Sequence, residues 1–225
     1  KDEIKNKYES LKQNQWGENV DGVISKIDTE DRVIALTLDA CGGEYGSSYD
    51  KKLIDYLIKE EIPATLFLNA RWIDSNIEIA KLLSQNDLFE IENHGYSHKP
   101  LSTNGKSAYN IDGTSSIDEV IDEVYLNQQK IEELTGRKSK YFRSGTAYYD
   151  DIAVMVINDL EEKPVNFDIV GDAGATFSVE QIYNESLKAK PGSIMIFHMN
   201  QPNGSTAEGI MKVIPVLKEK GFKFV

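Results

Sequence analysis

The histidines of this sequence stand where metal-binding or acid–base chemistry is possible. Only three occur in the 225 residues: His94, His98 and His198. His94 and His98 are spaced i, i+4, so one helical turn would bring both imidazoles within reach of a single ion. His198 directly follows the apolar run 193–197. Because imidazole ligates divalent metals and exchanges protons near neutral pH, we expect one of these roles at each position.

Two further polar residues follow apolar runs in the same way. Asp39 comes after residues 33–38, and Arg143 comes after Tyr141-Phe142. Taken singly, each has an ordinary explanation, since aspartate is common in turns and arginine in surface ion pairs. Together with the histidines they place polar chemistry at four strand ends. In a parallel α/β fold these ends converge, so the joint placement predicts one cleft.

Short β-rich runs alternate with longer helical stretches. We predict seven strands, at 33–37, 64–68, 88–92, 141–143, 165–170, 193–197 and 221–225. Helices are predicted at 49–60, 73–85, 117–135, 150–161, 178–189 and 207–220, several with apolar spacings of three and four. This alternation predicts a parallel sheet with right-handed crossovers, either a barrel or an open doubly wound sheet. Residues 1–20 are interpreted as an arm packed on a single domain, 21–225, with a surface loop near the site at 99–116.

Charge and composition limit the partners. Thirty-seven acidic and 25 basic side chains give a net charge of −12, which repels phosphate backbones and anionic lipids. No run of eighteen apolar residues occurs, so we expect no membrane insertion and no nucleic-acid partner. The sequence opens at Lys1 without an apolar signal core, and we interpret it as a mature or trimmed form.

The ordered motifs of the chain resemble those of the polysaccharide deacetylases, the NodB-homology group that forms carbohydrate esterase family four. The segments that carry the resemblance are Thr37-Leu38-Asp39, Glu92-Asn93-His94-Gly95-Tyr96-Ser97-His98-Lys99-Pro100-Leu101, Tyr141-Phe142-Arg143 and Gly192-Ser193-Ile194-Met195-Ile196-Phe197-His198. The similarity runs from about residue 33 to residue 225. It implies a distorted (β/α) barrel of about seven parallel strands that removes acetyl groups from N-acetylated sugars with a divalent metal.

The resemblance also implies a role for each matched residue. These roles are general base for Asp39, metal ligands for His94 and His98, positioning of the base for Arg143, general acid for His198, and a backbone donor to the oxyanion for Thr146. The physical chemistry is consistent, because a metal polarises the acetyl carbonyl while a carboxylate accepts a proton from water. Tyr148 is a further candidate for substrate binding, since aromatic rings at the rim of a site stack on sugars.

The chain departs from the family at the third metal ligand. Where the family has a second aspartate, this sequence has Ala40, which cannot bind a metal. Three solutions are open: Asp39 binds the ion itself, which we favour, Glu44 or Asp172 reaches in, or the metal has been lost. The single cysteine, Cys41, is interpreted as packing or at most as a soft ligand.

The carboxylate that orients His198 is also open between two residues. Asp168 and Asp172 both lie in the altered fourth motif, where the usual tryptophan is missing. Asp172 is favoured because it lies beyond the predicted strand, between Gly171 and Gly174.

The leading hypothesis is therefore a hydrolase that removes N-acetyl groups from a saccharide or cell-wall glycan. The metal would be zinc, with cobalt or manganese as alternatives. Two other hypotheses stay open: a carbohydrate-binding pseudoenzyme without metal, and a hydrolase of a non-sugar carbon–nitrogen bond. A glycan substrate implies export to the cell surface or periplasm, and no protein partner is implied.

Overall fold

The computed structural model describes residues 1–225 as one set of helices packed on a mostly parallel sheet. The helices are α1 Asp2–Tyr8, α2 Lys51–Lys59, α3 Ala70–Ser75, α4 Ile77–Ser84, α5 Ile117–Thr135, α6 Asp151–Asp159, α7 Val179–Ser186 and α8 Thr206–Glu219. The strands are β1 Trp16–Gly17, β2 Val33–Ala40, β3 Ala64–Leu68, β4 Phe89–Asn93, β5 Tyr141–Phe142, β6 Tyr149–Asp150, β7 Lys163–Pro164, β8 Ile169–Val170, β9 Ser193–His198 and β10 Lys223–Phe224. None of these helices combines the length and apolar character needed to cross a bilayer.

The main sheet has the strand order β7-β5-β4-β3-β2-β9-β8, and β10 pairs with the start of β2. Every pairing within it is parallel. The sheet curls into a half-barrel, which confirms the predicted distorted barrel of about seven parallel strands. Because the strands are parallel, their carboxyl ends meet along one edge of the sheet.

The predicted strand 165–170 is wrong in its first part, because only its last two residues form a strand, β8. β7 pairs with β5 and β8 pairs with β9, so residues 165–168 form the link between the sheet's opposite ends. Ile24 lies beside this link: its N–H donates to Pro164 O at 2.9 Å, and its carbonyl accepts from Asn166 N–H at 2.7 Å. The predicted helix 73–85 is divided at Asn76, whose backbone leaves the helical region.

Local signals in the sequence define the helix that packs behind the segment carrying His94 and His98. The Ser116 side chain accepts a hydrogen bond from Glu119 N–H at 3.2 Å at the start of α5. Gly136 ends the helix with a φ of +72°, a conformation that costs glycine little. The bounds of α5 are those that the apolar spacing and these caps predict.

Strand β2 separates the core from the site by simple alternation of its side chains. Leu36, Leu38 and Ala40 belong to a 29-residue apolar cluster that packs against α2 and α8. Thr37 and Asp39 point to the opposite face of the strand, toward the interior of the half-barrel. A second cluster of 13 buried residues lies under α5 and α6 and includes Tyr8 of the arm.

A buried carboxyl group, that of Glu162, contacts the end of β4. Glu162 is 1% exposed and accepts hydrogen bonds from the Asn93 amide and the Ser139 hydroxyl. Burial, with a smaller contribution from the neighbouring Glu92, raises the pKa of Glu162 to about 8. The carboxyl group is therefore protonated in the folded protein at pH 7 and ionised in the unfolded chain.

This difference predicts a pH-dependent stability. A carboxyl whose folded pKa is raised contributes stability that is present below its unfolded pKa of 4.5 and is lost as the pH rises through about 8. We expect Glu162→Gln, which keeps the neutral shape, to remove this part of the pH dependence. The difference in free energy of unfolding between the variant and the parent should shift in favour of the variant by on the order of 2–3 kcal/mol as the pH rises from 5 to 8.5. Chemical denaturation at both pH values measures the gain.

The adjacent, exposed Glu161 provides the matched control, since Glu161→Gln should leave the pH dependence of the parent unchanged. An unfolding free energy of Glu162→Gln that follows the parental pH curve would contradict the assignment.

Candidate active site

Four strands of the main sheet supply the candidate site: β5 and β4 on one side of β3, and β2 and β9 on the other. In the register of β2 and β9, Asp39 lies opposite His198. His94 directly follows β4 and Arg143 directly follows β5. The residues that the sequence predicts at separate strand ends are thus brought to one edge of the sheet, as a parallel topology requires.

A buried ion pair holds the aspartate. Arg143 Nη1 lies 2.7 Å from Asp39 Oδ1 and 2.8 Å from the Thr37 hydroxyl, and the arginine is completely buried. Its remaining N–H groups donate to the carbonyls of Val165, at 3.3 Å, and Asn166, at 3.0 Å. Because a buried guanidinium needs acceptors for its donors, this pattern fixes the orientation of the carboxylate.

The backbone next to this ion pair determines the tautomer of His94. Nδ1 of His94 lies 2.9 Å from the carbonyl oxygen of Arg143, and a carbonyl can only accept. Nδ1 therefore carries a proton in either charge state, and Nε2 lies 3.5 Å from Asp39 Oδ2. Burial alone would lower the pKa of His94, but Asp39, Cys41 and the carbonyl of Arg143 together outweigh burial and raise it.

His98 adopts a backbone conformation that its type rarely takes, with φ at +62°. The loop that carries it is held by Glu123 of α5, whose carboxylate accepts from Ser97 N–H at 2.9 Å and Lys99 N–H at 3.1 Å. Nε2 of His98 is buried without a hydrogen-bond partner. Gly145 packs so closely on the His98 backbone that a Cβ there would lie 2.3 Å from its carbonyl carbon.

Cys41 belongs to the same cluster. Its Sγ and one ring nitrogen each from His94 and His98 all lie within 4.8 Å of one another. Burial alone would raise the pKa of the Cys41 thiol, but the neighbouring histidines, chiefly His98, outweigh burial and hold the pKa well below its usual range. Glu44 is exposed and is not part of this cluster, so the structure does not bring it to the histidines.

These donors fit a divalent cation of borderline softness such as zinc or cobalt. The two imidazole nitrogens and the thiol sulfur are the ligand types that such ions bind. The unpartnered Nε2 of His98 and the fixed tautomer of His94 leave both lone pairs free for a ligand role.

His198 is held by a carboxylate of its own. Nδ1 of His198 lies 2.8 Å from Asp172 Oδ1, and the other oxygen of Asp172 accepts from the Thr206 hydroxyl at 2.8 Å. Asp168 instead accepts from the Ser193 hydroxyl and the Ile194 N–H, so it does not reach the imidazole. Burial alone would lower the pKa of His198, but Asp172 and Cys41 together outweigh burial and raise the pKa well above the ordinary value.

A cavity of about 550 Å³ opens onto these side chains, a size typical of small-molecule sites. Asp39, Cys41, His98 and His198 all line it. Thr146 also lines it, with a buried hydroxyl that has no hydrogen-bond partner.

Tyr148 takes a different position from the one its predicted role suggests. Its ring packs against Trp16 and Tyr109, each with a centroid separation of 5.6 Å, and Tyr148 is not among the residues that line the cavity. Tyr109 and Glu18 line the cavity instead. Direct contact between Tyr148 and a substrate therefore stays a prediction.

Sequence reasoning missed the structural importance of Glu123. The signal was present, because a polar residue interrupts the buried face of α5 between Val120 and Val124. Asn127 continues this polar interruption one turn further on, where its amide donates to Asn93 Oδ1 at 2.8 Å. Polar residues on the buried face of a helix require partners, and here those partners belong to the segment that carries the histidines.

Comparison with known families identifies the class of protein. The family model described as polysaccharide deacetylase matches residues 26–165, more than half of the chain. The chain therefore belongs to the polysaccharide deacetylase family, as the sequence motifs predicted. Members of this family are metal-dependent, and Cys41, His94 and His98 form a possible metal site.

Individual relatives are more distant. The uncharacterised protein YlxY of Bacillus subtilis is 26% identical over 182 residues, which cover 79% of this chain and 51% of that protein. The peptidoglycan-N-acetylmuramic acid deacetylase PdaA of Bacillus subtilis is 24% identical over 222 residues, covering 92% of this chain and 77% of that protein. The chain thus spans about half the length of YlxY.

A solved structure with the same fold is that of a CE4 family pseudoenzyme from Bacillus anthracis. Its TM-score is 0.75 at 24% identity, and the match covers 92% of this chain and 67% of the other. At this identity the likeness establishes the shared fold.

The buried ion pair leads to a prediction about stability. Replacing Arg143 by methionine removes the charge while filling much of the space, and it leaves Asp39 buried without its partner. We expect Arg143→Met to lower the free energy of unfolding by about 3–5 kcal/mol. Adding Asp39→Asn to this variant should recover part of the loss, because the uncompensated charge is then absent.

The exposed Arg137 makes no side-chain ion pair, and Arg137→Met should change stability by about 0.5 kcal/mol or less. Chemical denaturation of the four proteins measures these effects. A double variant less stable than Arg143→Met would contradict the ion-pair explanation.

Proposed function

We propose that this protein is a metal-dependent hydrolase that removes N-acetyl groups from a saccharide or cell-wall glycan. The observation that carries the proposal is that Asp39, His98 and His198 line one cavity. Behind them, His94 lies 3.5 Å from Asp39, and Asp172 is hydrogen-bonded to His198. Membership of the deacetylase family supports the reaction, and the relative PdaA, a peptidoglycan deacetylase by name, supports a cell-wall substrate. Action at the cell surface or outside the cell follows from such a substrate.

The aspartate and the late histidine have geometries suited to opposite proton transfers. Arg143 occupies Asp39 Oδ1 and leaves Oδ2 toward His94, where it can accept a proton from an attacking water. His198 is hydrogen-bonded to Asp172, which stabilises its protonated form, so it can donate a proton to the leaving amine. A metal bound by His94 and His98 would polarise the acetyl carbonyl and acidify water.

The oxyanion that develops on the acetyl group needs a donor besides the metal. The backbone N–H of Thr146 is the candidate, since Thr146 lines the cavity within the loop that packs on His98. Its unpartnered hydroxyl is available to a polar group of the substrate.

A second candidate function is glycan binding without catalysis. The observations that favour it are Ala40 at the place of a family ligand and the fold shared with a CE4 family pseudoenzyme. Such a protein would bind saccharide in the same cavity without retaining a stoichiometric metal ion.

Acetate release is the decisive assay for the reaction. We expect the protein, supplied with zinc, cobalt or manganese, to release acetate from N-acetylglucosamine oligomers or from peptidoglycan. Because a general acid or base contributes about 10²–10⁴-fold to the rate, His198→Gln and Asp39→Asn should each lower kcat by that order. The exposed Asp87, remote from the cavity, supplies the control Asp87→Asn, which should keep the parental rate.

The alternatives give different results in the same experiment. No acetate with any metal, no metal in elemental analysis and intact saccharide binding by calorimetry would establish the pseudoenzyme. No acetate from glycans combined with a stoichiometric metal would direct the search to non-sugar amides.

A further inference from the structure

Ala40 stands at the sequence position of the family's third metal ligand but offers no ligand atom. The thiol of the next residue, Cys41, lies in the site instead. Because side chains alternate along β2, residues 37, 39 and 41 share one face, while Ala40 lies completely buried in the apolar core. The strand pairs regularly with β3 as far as Ala40, opposite Leu68, so this alternation continues to the end of the strand. The next side chain on the site face is therefore that of Cys41.

The turn after Cys41 holds its position. Gly42 has a φ of +71°, and a Cβ there would lie 2.6 Å from the backbone nitrogen of Trp72. The Arg71 guanidinium donates to the Cys41 carbonyl at 3.1 Å. Only glycine fits at position 42, and the close packing on α3 directs the preceding thiol toward the histidines.

The distances fit a tetrahedral ion. Zinc binds thiolate sulfur at about 2.3 Å and imidazole nitrogen at about 2.0–2.1 Å, so a tetrahedral angle separates the two ligand atoms by about 3.6 Å. Cys41 Sγ lies 3.8 Å from His94 Nε2. The third member, His98, contributes a ring nitrogen to the same cluster, and its Nε2 is buried without a partner.

Packing does not account for this thiol. Cys41 is partly exposed, lines the cavity, and belongs to none of the apolar clusters. Asp39 also approaches His94, but it is not part of the group of ligand atoms that lie within 4.8 Å of one another, and its Oδ1 is occupied by Arg143. Asp39 thereby stays available for proton transfer.

We propose that Cys41 is the third protein ligand of the metal, giving a Cys-His-His site selective for zinc or cobalt. The inference rests on the proposed metal-dependent function and specifies its metal centre. Three protein ligands leave a fourth position open for water or substrate, as catalytic zinc sites do. A soft thiolate favours zinc and cobalt(II) over manganese and magnesium, which prefer oxygen ligands.

Cobalt(II) spectroscopy tests the ligand without reference to catalysis. Cys41 is the only cysteine in the chain, so any thiolate-to-cobalt charge-transfer band in the near ultraviolet must come from it. We expect the reduced parent protein to bind one equivalent of cobalt(II) with this band and with the intense visible bands of tetrahedral cobalt. Cys41→Ser should abolish the charge-transfer band and weaken zinc binding at least tenfold, as measured by competition with a chromophoric chelator.

Two further variants separate Cys41 from the competing ligand. Asp39→Asn should retain the charge-transfer band, whereas direct binding through Asp39 predicts that this variant loses cobalt and Cys41→Ser does not. Cys41→Asp should restore zinc binding relative to Cys41→Ser without restoring the band, because a carboxylate replaces the thiolate. Circular dichroism checks that each variant is folded.

Acetate assays on the same samples distinguish the two proposals. The band without acetate release supports the ligand and rejects the reaction. Acetate release with bound cobalt but no band rejects the ligand and supports the reaction. A parent protein that binds no cobalt, or a Cys41→Ser variant with parental zinc affinity, overturns the Cys-His-His site.

Discussion

The buried guanidinium of Arg143 is the contact on which the arrangement of the site depends. From the end of β5 it reaches Asp39 on β2, and it also donates to the carbonyls of Val165 and Asn166 in the link between the two ends of the sheet. Its own carbonyl accepts from His94. A buried guanidinium without these acceptors would be strongly unfavourable, so the curvature of the sheet, the carboxylate and the imidazole tautomer are coupled through one residue.

The two carboxylates of the site, those of Asp39 and Asp172, have different partners. Asp39 is paired with an arginine, whose charge is permanent, while Asp172 is paired with a histidine, whose charge can change. In the proposed reaction, the first pair would hold a carboxylate that accepts a proton, and the second would stabilise an imidazolium that donates one. The two aspartates would then support opposite proton transfers because their partners differ.

The parts of the fold and site that the sequence predicts are those governed by local rules. Strand ends, helix caps and the i, i+4 histidines are local, and α5 and the convergence of Asp39 with His198 were predicted from them. The linking position of residues 165–168 depends on which strands pair across the sheet, and no local pattern records that. The support that Glu123 gives the histidine loop also depends on contacts between distant segments, so its polar position on α5 indicated burial without naming its partners.

The proposed metal ligand at Cys41, next to Ala40, shows how the backbone geometry of β2 affects the interpretation of an aligned residue. In the motif, Ala40 stands where the family has a metal ligand, and by itself this substitution indicates a loss of metal binding. In the structure, the side chain at position 40 packs among apolar residues of β2 and its neighbours, where a carboxylate would lack hydrogen-bond partners. Because side chains alternate along the strand, the next side chain that faces the site is that of Cys41. The turn that follows has no room for a side chain at Gly42. A strand that keeps its regular pairing through residue 40 therefore has Ala40 in the apolar core and Cys41 beside the two imidazoles.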